Sequence, residues 1–399
     1  WVANMYGGNE NLEAVEFLKH LNSIFARDTE GAVLIAEEST AWPKVSGDEN
    51  DGGLGFDFKW NMGWMNDFLD YMQCNPYFRH DHYGELTFSM LYAYSEKFVL
   101  VFSHDEVVHG KGSMAGKMPG DTQEKKFANL RTAYGFMMGH PGKKLLFMGQ
   151  DFGQMDEWNE KESLEWGLLK YDIHSQMKDY VKALNHLYRT QPALYRMDYE
   201  PEGFEWINCT YNDENIVIFE RKTEKPEETL LFVCNFAPVE HEKFRLGVPF
   251  AGKYKEILNS DAKQFGGSGM ANGKLKTENK PMHGQEQSIV LKIPRFGVLF
   301  LKGKARAKRR TKAEIEAAKA AAAKKPVKRT RSTKAVAKSG TKAVARTTEK
   351  AVAKTGSKSV AKTTEKAVAR TGTRAVAKTT EKAVSVPTDK AVTATGGSK

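Results

Sequence analysis

Apolar side chains in the first 199 residues alternate between helical and strand-like spacing. In residues 11–25 they recur every three or four positions, which predicts an amphipathic helix. Further helical patterns occupy residues 124–138 and 180–188. Short continuous apolar runs predict strands buried on both faces, and they span residues 31–36, 98–102 and 145–148. Buried strands joined by helices indicate parallel β/α units.

From about residue 200 the pattern changes to short apolar runs separated by glycine, proline and asparagine. This spacing is typical of an antiparallel β sandwich. The runs occupy residues 216–220, 229–235, 288–293 and 297–301. We therefore predict an α/β part in residues 1–199 and an all-β domain in residues 200–302.

Residues 303–399 form a third region with no aromatic residue and no leucine. A Lys/Arg-Ala/Ser-Val triplet recurs there every eight residues, from Lys334 to Lys390. A segment of this composition cannot bury enough apolar surface to offset its conformational entropy. The sequence therefore predicts a disordered repeat tail.

The net charge of +10 hides two opposite parts of the chain. From Lys304 onward there are 27 basic and 6 acidic residues, whereas the preceding residues carry 33 basic and 44 acidic ones. The part predicted to fold is therefore acidic. The tail could bind polyanions weakly through counterion release without reading a base sequence, or it could be a solvated extension without a partner.

Other sequence features narrow the class of protein. Three scattered cysteines, Cys74, Cys209 and Cys234, do not have metal-ligand spacing, so we expect reduced thiols and a cytoplasmic protein. No stretch is apolar over the length that crosses a membrane, and no metal-ligand cluster is visible. Because the first residue is Trp1, we expect a fragment or a processed product.

Acidic residues follow two of the predicted strands directly. Glu37 and Glu38 come after the first strand, and His104 and Asp105 come shortly after the second. In a parallel β/α barrel the carboxyl ends of the strands meet at one mouth, where such enzymes do their chemistry. Carboxylates at such a mouth suit acid-assisted sugar transfer. On these residues alone, a structural role for the acids fits equally well.

Aromatic residues in the same region fit a carbohydrate cleft. Indole rings stack on the apolar faces of sugars, and Trp42, Trp60 and Trp158 are the candidate substrate-binding residues. Packing in the core is the competing interpretation, which applies equally to Trp64, Tyr71 and Trp166.

Four strings of the sequence carry a family resemblance. They are AEESTAWPKVS at 36–46, GGLGFDFKWNMGWMNDFLDYM at 52–72, SHDEVVHGKGS at 103–113 and KLLFMGQDFGQMDEWN at 144–159. In this order they resemble the signatures of the glycogen branching enzymes of the α-amylase superfamily. The resemblance covers about residues 1–302.

The resemblance implies the C-terminal half of a (β/α)8 barrel followed by a β-sandwich domain. It implies an enzyme that cleaves an α-1,4-glucan, such as glycogen or amylose, and transfers the segment to a 6-hydroxyl by a retaining mechanism. By resemblance, Glu37 is the general acid/base, Asp105 stabilises the transition state, and His104 hydrogen-bonds the bound sugar. Glu38 is expected to be structural. No cofactor is implied.

The sequence departs from the family pattern at one point. The Arg-x-Asp-Ala-Val-like string that carries the nucleophilic aspartate is missing, and by resemblance it would lie upstream of Trp1. A retaining mechanism needs that nucleophile, so we expect the chain on its own to be inactive. An α-amylase-type hydrolase is the alternative enzyme, and a polyanion-binding protein acting through the tail is the alternative from a different class.

Overall fold

The computed structural model of the protein describes residues 1–305. Four of its strands form a parallel sheet in chain order: β1 (Ile35–Ala36), β2 (Phe58–Trp60), β3 (Phe98–Phe102) and β4 (Lys143–Leu146). Each strand pairs in parallel with the next. This is the arrangement of consecutive β/α units, and it confirms the predicted α/β part of the fold.

Residues 1–305 contain six α-helices. They are α1 (Leu12–Asp28), α2 (Met62–Gln73), α3 (Tyr83–Thr87), α4 (Met114–Lys117), α5 (Gln123–Gly139) and α6 (Asp172–Thr190). Four of them begin at a residue whose side chain caps them, and α3 and α6 begin without such a cap. The Asn61 side chain accepts a hydrogen bond from the amide of Trp64 at 2.9 Å and caps α2. Because Asn61 directly follows β2, the carboxyl end of that strand leads straight into a helix.

The second half of the described chain is entirely antiparallel. Its strands are β5 (Phe204–Tyr211), β6 (Ile216–Arg221), β7 (Leu230–Asn235), β8 (His241–Val248), β9 (Gly252–Asn259), β10 (Leu275–Lys276), β11 (Gln287–Ile293) and β12 (Gly297–Ala305). Six of them form one sheet in the order β10-β9-β12-β7-β6-β5, and β11 pairs with β8. The predicted all-β fold of this part is confirmed.

The six-stranded sheet buries both of its faces. Alternate residues of β6 point to opposite sides, so Ile216 and Ile218 pack towards the β8–β11 pair while Val217 and Phe219 pack towards the helices. On the helical side, the Phe219 ring lies 6.1 Å from the ring of Phe136 in α5. The sheet is therefore the middle layer of this part of the molecule.

Helix α5 approaches the six-stranded sheet very closely. A Cβ atom placed on Gly139 would lie 2.6 Å from the Phe232 ring, so only glycine permits this contact. One apolar cluster runs from the parallel sheet through α5 into β6, β7 and β12. The domain boundary near residue 200 stays a prediction, but no gap in the hydrophobic core marks it.

Three element bounds differ from the sequence pattern. The run at 31–36 forms only a two-residue strand, because β1 has one neighbour and Gly31 adopts a positive φ of 78°. The strand predicted at 145–148 lies at Lys143–Leu146, since the apolar run continues into the following turn. The last strand reaches Ala305, three residues beyond residue 302, because its backbone pairing with β9 needs no apolar side chain.

Two further outcomes concern the tail and membranes. We predict disorder for residues 303–399, and residues 306–399 of this region lie outside the part of the chain that the structure describes. Within residues 1–305, the helices are all too short or too polar to cross a membrane.

The amino-terminal edge of the parallel sheet exposes apolar side chains. Val33 is 51% exposed and Ile35 43%, so β1 is not buried on both faces as its sequence predicts. In α1, Phe17 is 65% exposed. The predicted amphipathic helix forms, but its apolar stripe is only partly covered.

A buried ion pair joins the parallel and antiparallel parts. Arg221 of β6 donates to Asp198 at 2.7 Å, and both side chains are fully buried. The same guanidinium donates to the Gly139 carbonyl at 2.9 Å, while Lys143 of β4 lies 2.9 Å from Asp198. Burial opposes ionisation of Asp198, but Arg221 and the two lysines at 143 and 144 outweigh it and hold its pKa below the ordinary value.

Lys144 beside this ion pair gives the protein a predicted pH dependence. Burial lowers its pKa from 10.5 to about 7. Above pH 7 the unfolded lysine therefore binds a proton that the native one has released, so the free energy of unfolding rises with pH. The slope reaches about 1.4 kcal/mol per pH unit at most. Urea unfolding between pH 7 and 9 measures it.

Replacing Lys144 by methionine provides the control for that measurement. The variant keeps an unbranched side chain, one atom shorter, that has nothing to titrate, so the pH dependence of the difference between it and the wild type isolates the lysine. We expect that difference to change steadily above pH 7 and to be constant below it. A constant difference throughout would show that Lys144 keeps an ordinary pKa.

Candidate functional site

The four parallel strands end at the same edge of their sheet. Glu37 directly follows β1, and Asp105 comes three residues after the end of β3. Because β2 lies between them, their strands are separated by two strand spacings, about 10 Å. Glu37 and Asp105 therefore lie on loops that leave the same carboxyl edge.

A tight turn fixes the backbone that carries His104 and Asp105. The Ser103 hydroxyl accepts a hydrogen bond from the Asp105 amide at 3.2 Å, and the Glu106 carboxylate accepts one from the Ser103 amide. Glu106 is buried, whereas His104 and Asp105 keep 44% and 43% of their side chains exposed. The turn thus directs the two candidate residues towards solvent, with His104 Nε2 3.4 Å from an Asp105 carboxylate oxygen.

Two aromatic residues from the loop after β4 surround the imidazole of His104. The Phe147 ring lies 5.8 Å from His104, and the Trp158 indole meets it edge-on at 6.1 Å. Phe147 and Trp158 contact each other at 5.1 Å. The amide of Trp158 also donates to the Val107 carbonyl at 2.9 Å, which ties this loop to the loop after β3. The structure therefore brings His104, Asp105 and Trp158 together.

The neighbouring acids Glu37 and Glu38 have different surroundings. Glu38 accepts a hydrogen bond from the Thr40 amide at 2.6 Å, and its hydrogen bonds with the Thr40 side chain and amide hold its pKa below the ordinary value. The Glu37 side chain is exposed, and within residues 1–305 no hydrogen bond engages its carboxyl group. Glu38 is thus fixed as a carboxylate, while Glu37 is free to meet a ligand.

Trp42 and Trp60 lie apart from the His104 cluster. Both line a groove of about 620 Å³ that also contains Glu38, Lys59 and Tyr92, but neither Glu37 nor Asp105. Trp42 packs partly against the small apolar cluster below the loop after β1. The structure therefore divides the candidate aromatic residues between two places.

Core packing accounts for two of the other aromatic residues. Trp64 is 1% exposed and Tyr71 is completely buried, so these two cannot meet a ligand. Trp166 is 54% exposed and its ring lies 5.4 Å from that of Phe152.

Sequence reasoning missed several residues that hold the site. Glu96 is buried and accepts hydrogen bonds from the amides of Val45 and Ser46 at 2.8 and 2.7 Å, which fixes the loop that carries Trp42. Glu157 similarly binds the loop after β3. The Gly-Lys-Gly string at 110–112 indicates an unusual backbone there, but no sequence signal pairs it with a distant glutamate.

In residues 1–305, no group of three or more histidine, cysteine or acidic side chains is placed to hold a metal ion. The thiols of Cys74, Cys209 and Cys234 are free.

Relatives of known identity match the chain over most of its described length. The family described as the alpha amylase C-terminal all-beta domain matches residues 206–304. The 1,4-alpha-glucan branching enzyme GlgB of Rubrobacter xylanophilus is 50% identical over 302 residues, which cover 76% of this chain and 42% of that protein. The same enzyme of Aquifex aeolicus is 52% identical over 303 residues, or 76% of this chain and 48% of that protein. The chain thus spans less than half the length of these relatives.

Solved structures support the fold independently of close sequence similarity. A cyclomaltodextrinase structure superposes with a TM-score of 0.51 at 15% identity, over 74% of this chain and 44% of that one. At this identity the likeness concerns the fold alone. Since half of the residues agree with the branching enzymes along the matched length, and the strand-end acids stand at one edge of an amylase-like sheet, the chain belongs to the 1,4-alpha-glucan branching enzyme family of the α-amylase superfamily.

Proposed function

We propose that the whole protein is a 1,4-alpha-glucan branching enzyme, and that this chain carries its general acid/base and its stabilising aspartate. The single observation that carries the proposal is the common edge from which the loops of Glu37 and Asp105 leave. The identity of about half of all matched residues with branching enzymes supports it.

In this proposal Glu37 transfers the protons. Its protonated carboxyl group gives a proton to the 4-oxygen as the α-1,4 bond breaks, and the resulting carboxylate later takes the proton of the acceptor 6-hydroxyl. Its exposed carboxyl group, which has no hydrogen-bond partner within residues 1–305, is open to a ligand. Glu38 is held ionised by Thr40 and is a poor candidate for the acid.

Asp105 and His104 are proposed to stabilise the sugar at the point of cleavage. A carboxylate near the oxocarbenium-like centre offsets its positive charge, and the imidazole can hydrogen-bond a sugar hydroxyl. Trp158, held edge-on against His104, offers an indole that can stack on the neighbouring glucose. Trp42 and Trp60 line a separate groove, so we propose that they contact a more distant part of the glucan.

The retaining step requires a further carboxylate as nucleophile. That group must form the covalent glucosyl intermediate, which Glu37 and Asp105 cannot do in their proposed roles. The family resemblance implies that it precedes the acid/base, so activity measurements need a protein that includes such a residue. Inactivity of the 399-residue chain on its own stays a prediction.

Incubating the whole protein with amylose tests the function. Branching replaces α-1,4 bonds by α-1,6 bonds without a net gain of reducing ends, so we expect iodine staining to fall while reducing ends stay constant. A parallel rise in reducing ends would identify the hydrolase alternative instead. Unchanged staining would contradict both enzymatic proposals.

We propose a separate and weaker property for the basic tail. Its 27 basic against 6 acidic residues from Lys304 onward support binding to polyanions through counterion release. Retention on immobilised DNA, measured across a salt series for the full chain and a chain ending at residue 305, tests it. Equal retention of the two proteins would rule the property out.

A cytoplasmic location is proposed from the cysteines alone. All three thiols are free, and Cys234 is buried where oxidation would be unproductive. Cell fractionation that placed the protein in an oxidising compartment would contradict this.

A further inference from the structure

The loop after the His104–Asp105 turn has an uncommon backbone. His109 adopts a positive φ of 58°, and Gly110 and Gly112 have φ of 81° and 73°. The sign of φ alternates from Gly110 through Lys111 to Gly112. Such alternation turns successive amide groups to one side and creates a concave donor surface that binds anions. The two glycines have open space around the position of a Cβ atom, so backbone conformation and not crowding requires them.

A carboxylate of this chain occupies that donor surface. Glu157, from the loop after β4, accepts a hydrogen bond from the Gly112 amide at 2.5 Å and one from the Gly110 amide at 3.1 Å. Each amide binds a different oxygen of the carboxylate. These two backbone hydrogen bonds hold the pKa of Glu157 below its ordinary value, so the group is ionised at neutral pH.

The carbonyl side of the same loop is fixed as well. The Lys117 ammonium group donates to the carbonyl oxygens of Lys111 and Gly112, the latter at 3.1 Å. The residue next to Glu157, Trp158, donates its amide to the Val107 carbonyl at 2.9 Å. Glu157 is thus the centre of a small bridge between the loops after β3 and β4.

We infer that Glu157 is a positioning residue for the proposed site. It holds the loop after β3 and the indole of Trp158 so that His104 and the indole can contact the same glucan. The inference rests on the proposed function and gives a role to a residue that the proposed function does not use. Glu157 acts through Gly110, Gly112 and its neighbour Trp158, and it does not touch the proposed substrate.

Two features separate this role from ordinary surface stabilisation. Glu157 is half-buried and packs in neither of the large apolar clusters, so its removal leaves the core intact. Its contacts are instead with amides six and eight residues after His104, in the same loop. A displacement of about 1 Å in such a loop can cost on the order of 100-fold in rate.

The test replaces Glu157 by glutamine and compares it with Glu160→Gln. Glutamine has one acceptor oxygen instead of two, so one of the two glycine amides loses its partner. Glu160 lies three residues away, is exposed, and forms no hydrogen bond with residues 1–305 through its side chain. Its replacement by glutamine therefore makes the same change of charge without removing a contact.

We expect three results. In the 399-residue chain, hydrogen exchange of the peptide that contains Gly110 and Gly112 becomes faster by about tenfold in E157Q, because hydrogen-bonded amides exchange only on opening. In the whole protein, kcat/KM for amylose falls by about 10- to 100-fold through kcat, while Tm is unchanged. Glu157→Ala loses activity likewise and regains part of it in acetate or formate, whose carboxylate can fill the empty donor surface.

Contrary results are equally clear. Exchange and kinetics of E157Q that match those of E160Q would overturn the inference, and so would a loss of activity fully explained by a lower Tm. If the whole protein branches no amylose at all, the proposed function fails, but faster exchange at Gly110 and Gly112 would still show that Glu157 holds the loop.

Discussion

Replacing Glu37 by glutamine lowers kcat for amylose branching by about 1,000-fold in the whole protein, within the range typical of a lost general acid/base. Glutamine keeps the size and position of the side chain but cannot deliver a proton to the leaving 4-oxygen. The structure offers no substitute next to it, because the Glu38 carboxylate is held by Thr40. The assay follows iodine staining of amylose over time.

The control for that experiment is the same substitution one residue later. Glu38→Gln removes the same charge but leaves the proposed acid in place, so we expect at most about a tenfold effect from the disturbed loop. A glucan donor with fluoride as leaving group sharpens the comparison, since fluoride departs without protonation and should restore the first step in E37Q. If Glu38→Gln is the more damaging change, the acid/base has been assigned to the wrong carboxylate.

Replacing Arg221 by alanine destabilises the protein by about 3–5 kcal/mol, the cost of leaving a buried charge without its partner. The guanidinium is fully buried and binds Asp198, the Gly139 carbonyl and the Gly203 carbonyl. Alanine would leave the Asp198 carboxylate in the interior without its fully buried charge partner. Lys143 would remain at 2.9 Å with Lys144 nearby, and the Tyr188 hydroxyl and the Gly142 amide would still donate at 3.0 and 3.3 Å. Because these groups join β6 to α5 and β4, the loss affects the folded unit as a whole.

Urea unfolding of the two variants Arg221→Ala and Arg245→Ala provides the measurement. Arg245 forms a partly exposed ion pair with Glu278 at 3.0 Å and donates to the Ser288 hydroxyl at 2.9 Å, so its removal should cost only about 1 kcal/mol. Should Arg221→Ala fail to fold, Asp198→Asn keeps the shape of the cluster and allows the loss to be quantified. Similar losses at Arg221 and Arg245 would show that the buried pair has no special part in stability.

The sequence predicted elements where pattern and environment agree. Strand β3 lies in the centre of the parallel sheet, and its five apolar residues match its bounds at Phe98–Phe102. Strand β1 lies at the edge, where an equally apolar run forms only two residues of strand. Helix α5 is buried by sheets on both sides, so its sequence pattern gives its bounds along the chain but not which elements it packs against. Periodicity reports local geometry, whereas neighbours decide which residues are covered.

The candidate site was predictable to a similar extent. Strand ends located Glu37, His104 and Asp105, because the edge of a parallel sheet follows from strand direction alone. Sequence reasoning grouped Trp42, Trp60 and Trp158 as candidates for one cleft, although Trp158 contacts His104 and the other two line a separate groove. The contact between Glu157 and Gly112 joins residues 45 positions apart, and only the folded backbone brings them together.

The two covered faces of the six-stranded sheet limit how related enzymes can be recombined. A chimera cut near residue 200 would transplant the antiparallel strands without α5, and the rings of Phe219, Phe232 and Phe300 would meet either solvent or a foreign helix. Gly139 permits the close approach on the native side, so a donor with a larger residue there would not fit. Exchange of the carboxyl-terminal part between homologues therefore requires that the helix and the sheet be inherited together.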